Sequence, residues 1–571
     1  MSWTLGIWDG HDAGAALLRD GELAFAINEE RLTRRKLEIG FPARSIRAAL
    51  AHAAITPAEV TEVAACTGDF ARTLSRWIPS LQERYYQIRR RKASPSSWAL
   101  LTRRLKHRIT ALGPDPVSRV ASLAILRGRL RAEGLGHTRL HLVGHHDAHA
   151  AAAARFSGLT DALVISLDGV GDGLSGSIRV MDGRELRPVA AIPGDASFGL
   201  FFEHVTHLLN LRELEDEGKV MALASCTWPV PDSENPMLEL LKVDGLRVSA
   251  RHSGTRLLDA LSRILWRSSS EQFAFMAQRT LEIRVGELVA NAVRATGRRR
   301  IALAGGVASN VKLNLMLREL PGVEELFVFP HMGDGGLAAG AAAWVSDGVR
   351  QNTLPLRDAF LGPSFDDDRI ARSVRDAGFV PEVPSAGLVA RAAELLERGE
   401  VIGWFQGRME YGPRSLGARS ILARPDSTEL RDRLNLQLKR RSWYQPFCPS
   451  MLEEEASRLL IGVARPDPFM TTACRVRPEA RSALAGVIAP DGTCRPQMVS
   501  SAGDLSDARH RFAALLVEMR GRTGQGVLLN TSFNVHGEPI VCSPEDALRA
   551  FGSSALRHLA IGPFLVSKRD D

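Results

Sequence analysis

Three histidines and an aspartate stand together at His145-His146-Asp147-Ala148-His149. Residues four apart on a helix share a face, so His145 and His149 can converge on one ion while His146 projects elsewhere. The same spacing also fits a His-rich helix start whose rings cap the backbone or fill a core. A complete metal site needs carboxylates from elsewhere in the chain. Asp168 follows an apolar run, and Asp334 sits in Gly333-Asp334-Gly335-Gly336 ahead of an Ala-rich stretch, so both are candidates. Histidine with carboxylate suits Fe(II), Mn or Zn without choosing among them. An ion held there would neutralise phosphate charge and polarise a carbonyl oxygen.

A second chemistry is written in glycine. Tight Gly-containing turns occur at 9–13, which includes Gly10 and Asp12, at 168–173, and at 305–308, which opens with Gly305-Gly306. Glycine reaches positive φ at little cost and lets backbone N–H groups approach phosphate oxygens. Any one of these turns also fits a plain hairpin. Three in one order across a domain suggest the actin-like ATPase architecture, in which two related halves grip a nucleotide.

The elements that must carry these residues can be read from periodicity. Strands are expected at 3–9, 13–19 and 22–28, then a helix at 43–54 with Ile46, Leu50 and Ala53 on one stripe. Further strands are expected at 162–167, 174–180 and 301–304, and helices at 310–320 and 337–345. The pattern changes around 345–365, where Ser346-Asp347-Gly348 and Leu354-Pro355-Leu356 read as a linker. A second unit follows, with a helix at 384–398, a strand at 400–405 and a Gly/Arg-rich loop at 407–419. The expected domains are 1–350 and 360–571, the first carrying a helical insertion at about 66–135.

Composition narrows the class. At 571 residues the chain is too long for one core. No apolar run is long enough to span a bilayer, and the first residues lack a basic n-region, so no secretory signal is expected and the expected location is cytoplasmic. The six cysteines are scattered without a C-x-x-C pair, which argues against a zinc knuckle or a disulfide framework. Much of the net charge of +8 sits in the insertion, at Arg-Arg-Arg-Lys 89–92 and Arg-Arg-Leu-Lys 103–106. Solvated helix faces explain such runs as well as an anionic partner does.

The chain resembles the NodU/CmcH-type O-carbamoyltransferases along nearly its whole length. The resemblance rests on Gly10-His11-Asp12-Ala13-Gly14, Asn28-Glu29-Glu30-Arg31, the His145–His149 segment, Glu217-Gly218-Lys219-Val220-Met221-Ala222, Gly305-Gly306-Val307-Ala308-Ser309-Asn310 and Gly333–Gly336. In the second unit it rests on the run from Gly407 to Ser420, on Asp491-Gly492-Thr493-Cys494-Arg495-Pro496 and on Leu529-Asn530-Thr531-Ser532-Phe533-Asn534. It implies an α/β protein. The first domain would be an actin-like ATPase similar to the tRNA threonylcarbamoyl transferase subunit, followed by a YrdC-like α/β domain that processes carbamoyl phosphate.

By that resemblance the metal ligands are His145, His149, Asp168 and Asp334, holding one divalent transition metal, with Fe(II) the expected ion. His11 lies where the acceptor's hydroxyl proton is taken up. Gly10, Asp12, Glu217, Gly305, Gly306 and Asn310 fall where ATP, with its Mg²⁺, is expected. In the second domain Arg414, Arg419, Lys439 and Arg495 would bind carbamoyl phosphate, with Asn530, Ser532 and Asn534 as neutral donors, because a doubly charged anion calls for cations and amides. Lys439 and Arg495 are the expected catalytic pair there. One departure is Lys439-Arg440-Arg441-Ser442-Trp443-Tyr444-Gln445-Pro446-Phe447, where many relatives carry Arg in place of Gln445; Arg440 or Arg441 is left to compensate.

The implied reaction runs from carbamoyl phosphate to carbamate, then with ATP to carbamoyl adenylate, then to a hydroxyl of a small natural-product acceptor. Rival readings are a sugar-kinase-like phosphotransferase, a tRNA threonylcarbamoyl-type enzyme and an ATP-gated binding module. Neither a membrane nor a nucleic acid is the expected partner, and a homodimer is left open. The insertion, with Trp77, Tyr85, Tyr86 and Trp98 among arginines, is expected either to wall the acceptor pocket or to pack Trp77, Leu81 and Tyr85 as one core stripe.

Overall fold

The computed structural model describes residues 2–92, 113–183, 185–346, 354–503 and 510–568. Trp98, the basic run 103–106 and the Asp347-Gly348 part of the linker lie outside them. The chain divides into two units, one of residues 1–33 and 37–357, the other of 34–36 and 358–571.

The first unit contains two five-stranded sheets of the same topology. In the first, β1 (Trp3–Trp8), β2 (Gly14–Arg19) and β3 (Glu22–Asn28) form an antiparallel meander, while β4 (Val60–Cys66) and β5 (Arg139–Val143) add parallel strands on the other side of β1, in the order 3-2-1-4-5. In the second, β6 (Asp161–Gly171), β7 (Leu174–Asp182) and β8 (Glu185–Pro193) form the meander. A hairpin, β9 (Leu241–Asp244) and β10 (Arg247–Ala250), intervenes. β11 (Arg300–Ala304) and β12 (Glu325–Val328) then extend the second sheet in parallel from β6. This duplicated order is the actin-like α/β arrangement.

Two small-residue helices join the halves of this unit. His145–Phe156 follows the first sheet yet packs on β6 and β11 of the second; Leu337–Val345 follows the second sheet yet packs on β1, β2 and β4 of the first. The two helices also pack on each other. Alanine is the strongest helix former and adds little bulk, so nearly every residue of both can be buried. Gly340 is needed at their crossing, because a Cβ there would collide with the carbonyl of Ala148. Gly6 on β1 likewise leaves room for the carbonyl of Ala338.

The insertion between β4 and β5 forms helices Phe70–Trp77, Pro79–Arg89 and Pro116–Ala132. The expected core stripe does not form. Pro79 starts a new helix after Trp77, and Trp77 and Leu81 are 73% and 44% exposed, while Gln82 and Tyr86 turn inward.

The second unit is built on a seven-stranded mixed sheet. Its order is β19-β15-β20-β14-β13-β21-β22, with β13 (Ile402–Phe405), β14 (Arg419–Ala423), β15 (Cys448–Leu452), β19 (Gln497–Val499), β20 (Val527–Ser532), β21 (His558–Ile561) and β22 (Phe564–Ser567). A smaller sheet holds β16 (Leu460–Ile461), β17 (Cys474–Val476) and β18 (Thr493–Cys494). Successive strand residues face opposite sides. Trp404 therefore packs with Leu388–Glu397 and Arg511–Thr523 on one face, and Phe405 with Asp367–Asp376 and Pro544–Gly552 on the other.

No helix among the described residues is long and apolar enough to cross a membrane.

Candidate metal centre and anion pocket

In the first unit the fold brings four distant residues to one point. His145 opens its helix, its N–H accepted by Asp172 Oδ2 at 2.7 Å, and His149 lies one turn on. Asp168 comes from β6 and Asp334 from the turn that starts the Leu337 helix. His145 Nε2 is 3.1 Å from Asp168 Oδ2 and 3.6 Å from Asp334 Oδ1; His149 Nε2 is 3.9 and 3.6 Å from the same two oxygens. All four donor atoms lie within 4.8 Å of one another, and all four residues are buried. Ligands about 2.1 Å from a tetrahedral ion stand roughly 3.4 Å apart, so this spacing fits a metal. The buried Nε2 of His149 has no hydrogen-bond partner. An orphaned imidazole nitrogen aimed at two carboxylates is what a ligand set leaves when described without its ion. His146 points away, as its spacing predicts, held by Ser166 Oγ and the Leu174 carbonyl.

Electrostatics reinforce the cluster. Burial works against charge on His145, yet Asp334 and Asp168 outweigh it and raise its pKa to about 9. Burial also works to raise Asp168, and Asp334 adds to that, but the two histidines bring it down to about 2. Asp168 Oδ1 accepts the Gly306 N–H at 2.7 Å, which fixes the carboxylate. Asp334 uses its other oxygen on His11, whose Nε2 is 3.0 Å away.

The turns expected to hold a nucleotide are only partly free to do so. Gly305 (φ +95°) must be glycine, since a Cβ would strike the Leu167 backbone. Gly306 is its neighbour, and its N–H donates to Asp168 Oδ1. Asn310 caps the helix Val311–Arg318 by accepting from the Leu313 N–H, and it exchanges hydrogen bonds with Gln278. Both residues are thus held in place within the first unit, Gly306 by Asp168 and Asn310 by Gln278 and the helix it caps. Gly10 and Asp12 lie in a turn that the insertion clamps. Arg76 is buried and makes a bidentate pair with Asp9, and Gln82 donates to the Asp9 carbonyl. No motif singled out Arg76, because its partner is 67 residues away. Glu217 starts a helix that packs on Phe198–Leu208, itself packed on the 306–309 turn. Burial raises its carboxyl to about 7.

In the second unit Lys439, Ser532 and Asn534 come together. Lys439 Nζ donates to the Ser532 carbonyl and to Asn534 Oδ1 at 2.9 Å. Arg495 points Nε and Nη2 at Cys448 Sγ, 3.1 and 2.9 Å away. Arg414 stands by Arg495 and Cys448; burial and the Arg495 charge lower it to about 9, and its buried Nε has no partner. Arg441 joins this group, lowered to about 10 by burial and by Arg495. Among the described residues none of these four cations has a carboxylate partner. Arg440 is exposed, and of the two it is Arg441 that stands by Arg495 and Cys448.

Two expected ligands of this pocket have other work. Arg419 is fully buried, and its N–H groups go to the carbonyls of Gln406, Gly407, Pro363, Ala418 and Cys542, with its guanidinium 3.6 Å above the Phe405 ring. With these donors directed at backbone, it braces the 407–419 loop. Asn530 ties Ser415 to Ser450 within the sheet. Cys448, which no reading of the sequence marked, sits at the centre of the cations; its neighbours in space, not its neighbours in sequence, reveal it.

Comparison with known proteins agrees with this division. Residues 4–343 match the family described as Carbamoyltransferase N-terminus, and residues 393–568 match Carbamoyltransferase C-terminus. The chain is similar to Nodulation protein NolNO of Sinorhizobium fredii, with 33% identity over 98% of this chain and 79% of that one. It is similar to Nodulation protein NolO of Bradyrhizobium diazoefficiens, with 36% identity over 75% of this chain and 79% of that one. Among solved structures, full-length HypF in its phosphate- and nucleotide-bound form aligns with 60% of this chain and 55% of that one, at 14% identity and a TM-score of 0.36.

Proposed function

The chain belongs to the carbamoyltransferase family, and from that premise we propose that it is an ATP-dependent O-carbamoyltransferase acting on a small hydroxylated acceptor. The observation that carries the donor half is the cation pocket of the second unit. Lys439, Arg414, Arg441 and Arg495 stand in one group with no acidic partner among the described residues, an arrangement costly to hold unless an anion shares it. Carbamoyl phosphate supplies that anion. Water displaces phosphate there, and carbamate remains.

Carbamate oxygen then attacks the α-phosphorus of Mg²⁺-bound ATP, and pyrophosphate leaves. The acceptor hydroxyl attacks the carbamoyl carbon of the resulting carbamoyl adenylate, and AMP departs with the bonding pair. His145, His149, Asp168 and Asp334 would hold one divalent metal, with Fe(II) as the first choice, which when bound would polarise a carbonyl or phosphoryl oxygen. Asp334 holds His11 through Nε2, and the other ring nitrogen, Nδ1, is assigned to the acceptor hydroxyl, whose proton must leave as the new C–O bond forms. Asp168 fixes the glycine turn through Gly306 and so ties the nucleotide loop to the same centre.

The test is to incubate the protein with carbamoyl phosphate and ATP and identify the products. Phosphate, AMP and pyrophosphate are expected, with a mass gain of one carbamoyl group on an accepted hydroxyl compound. ADP in place of AMP would replace this reading with a phosphotransferase.

A further inference from the structure

Three of the six cysteines gather near Arg495, although the chain places them apart. Cys448 holds the Arg495 guanidinium at its sulfur. Cys494 is the residue before Arg495, and Cys474, twenty residues earlier, stands directly opposite it on the neighbouring antiparallel strand. Opposed residues of an antiparallel pair point to the same side of the sheet, with Cα atoms about 4.5–5.5 Å apart. A disulfide bridges Cα separations of about 4.4–6.8 Å. Cys474 and Cys494 are therefore within reach of one bond, and both are free thiols. They are buried in one core cluster with Phe447 and Met498. Apolar filling alone asks for no such pairing, since Ala or Val would serve it as well.

The strands that hold the pair part at little cost and connect directly to the anion pocket. β17 and β18 meet over two residue pairs, Cys474 with Cys494 and Arg475 with Thr493, and β18 is the edge of its sheet. So short an edge opens locally, which lets a small oxidant reach buried sulfur. Burial, with the charges of Cys474 and Cys448, pushes the Cys494 thiol well above its usual range, so thiolate is scarce and oxidation quickens as pH rises. Opposed Cβ atoms stand about 4.5–5.5 Å apart, and a disulfide holds them at about 3.5–4.5 Å, so closing the bond draws them about 1 Å nearer. Arg495 follows Cys494 directly, and Pro496 after it restricts the Arg495 backbone. Little of the shift is absorbed before it reaches the guanidinium.

Resting on the carbamoyl phosphate reading of that pocket, we propose that Cys474 and Cys494 form a reversible dithiol–disulfide switch that, when closed, draws Arg495 out of place and weakens the pocket for its anion. With a peroxide as oxidant, the Cys494 sulfur attacks one peroxide oxygen. The S–O bond forms, the O–O bond breaks, and the first water leaves with the thiol proton. The Cys474 sulfur then attacks the Cys494 sulfur; the S–S bond forms, the S–O bond breaks, and the second water leaves with the second thiol proton. Two thiols thus lose two electrons and two protons, and a dithiol such as dithiothreitol reverses the change by exchange. The test treats the full chain with hydrogen peroxide and then with dithiothreitol. Peptide mass mapping reads the link, calorimetry reads the affinity for inorganic phosphate, and phosphate release from carbamoyl phosphate reads the reaction. The oxidised chain should yield the Cys474 and Cys494 peptides joined and lighter than their sum by two hydrogens. Phosphate affinity and phosphate release should each fall by about tenfold or more, the cost of misplacing a contact by about 1 Å, and return on reduction. Cys474→Ala should match the reduced wild type in both and lose the sensitivity to peroxide, with Cys494→Ala as the second variant if the first does not fold. No Cys474–Cys494 link, a link without effect on phosphate affinity, or a Cys474→Ala chain as sensitive as the wild type, which would place the sensitivity at Cys448, would each overturn the proposal. Absence of phosphate release from the reduced wild-type chain would strike the carbamoyl phosphate reading instead, and the link and the phosphate affinity would still decide the switch.

Discussion

Burial, reinforced by the charges of Arg441 and Lys36, holds Lys439 well below the ordinary lysine range. Between that lowered value and the ordinary one near 10.5, the unfolded chain binds a proton that the folded chain does not. Stability therefore rises with pH through that window and levels off below it. Lys439→Met should flatten this part of the stability–pH curve, measured by chemical denaturation. An anion in the pocket favours the ammonium, so phosphate binding should take up a proton and weaken as pH rises above the lowered value; titration calorimetry in buffers of different ionisation enthalpy checks this. Lys439→Ala or Arg495→Ala should lose phosphate release by about a hundredfold or more while ATP still binds. Wild-type release in either variant would remove the pocket from the reaction. His149→Ala should lose the metal and the final transfer yet keep phosphate release. Full metal content by elemental analysis in that variant would rule the ligand set out.

The two crossing helices explain why the four candidate ligands meet at all. His145 and His149 stand on one, Asp334 at the start of the other, and the crossing closes because Gly340 lies against the Ala148 carbonyl. Gly340→Ala should therefore do two things together. It should destabilise the fold by about 1–3 kcal/mol, the usual cost of overpacking, and it should weaken metal binding by separating Asp334 from the histidines. Thermal melts and metal titration of the same variant test the coupling; a stability loss with unchanged metal affinity would show that the site does not depend on this crossing. The insertion acts at the same scale. It is not a loose appendage, since Arg76 reaches from it to Asp9 and locks the turn that holds Gly10, His11 and Asp12.

The molecule has two units, each with its own core and its own charged site, and the proposed function gives donor chemistry to one and transfer to the other. A ligand that binds only the folded form stabilises by about 2.7 kcal/mol at a hundred times its Kd. Chelation should accordingly lower the calorimetric transition of the metal-bearing unit and leave the other in place, and inorganic phosphate should raise the transition of the unit that carries Lys439. Equal shifts of both transitions by either treatment would mean that the two sites do not belong to independent folding units.

The sequence by itself determined whatever is set within a few residues or by a long run of matches. The i, i+4 spacing of His145 and His149 lies in helix geometry, the Gly305 turn in the conformational freedom of one residue, and the outward turn of His146 in the same helical period. The extended motif runs carried the family. Tertiary structure alone decided which charges are available. Arg419 and Arg414 look alike in the chain, five residues apart, but backbone carbonyls take up the first guanidinium, while the buried Nε of the second has no partner among the described residues. Arg441 rather than Arg440 enters the pocket, and Arg89, Arg90 and Arg91, which read as a cationic surface, turn out to clasp an acidic loop more than 110 residues on. Helical and strand periods follow from local backbone geometry, so they can be read in order along the chain. Burial and pairing depend on which distant segments meet and compete for each donor, and that competition is resolved only when the chain has folded.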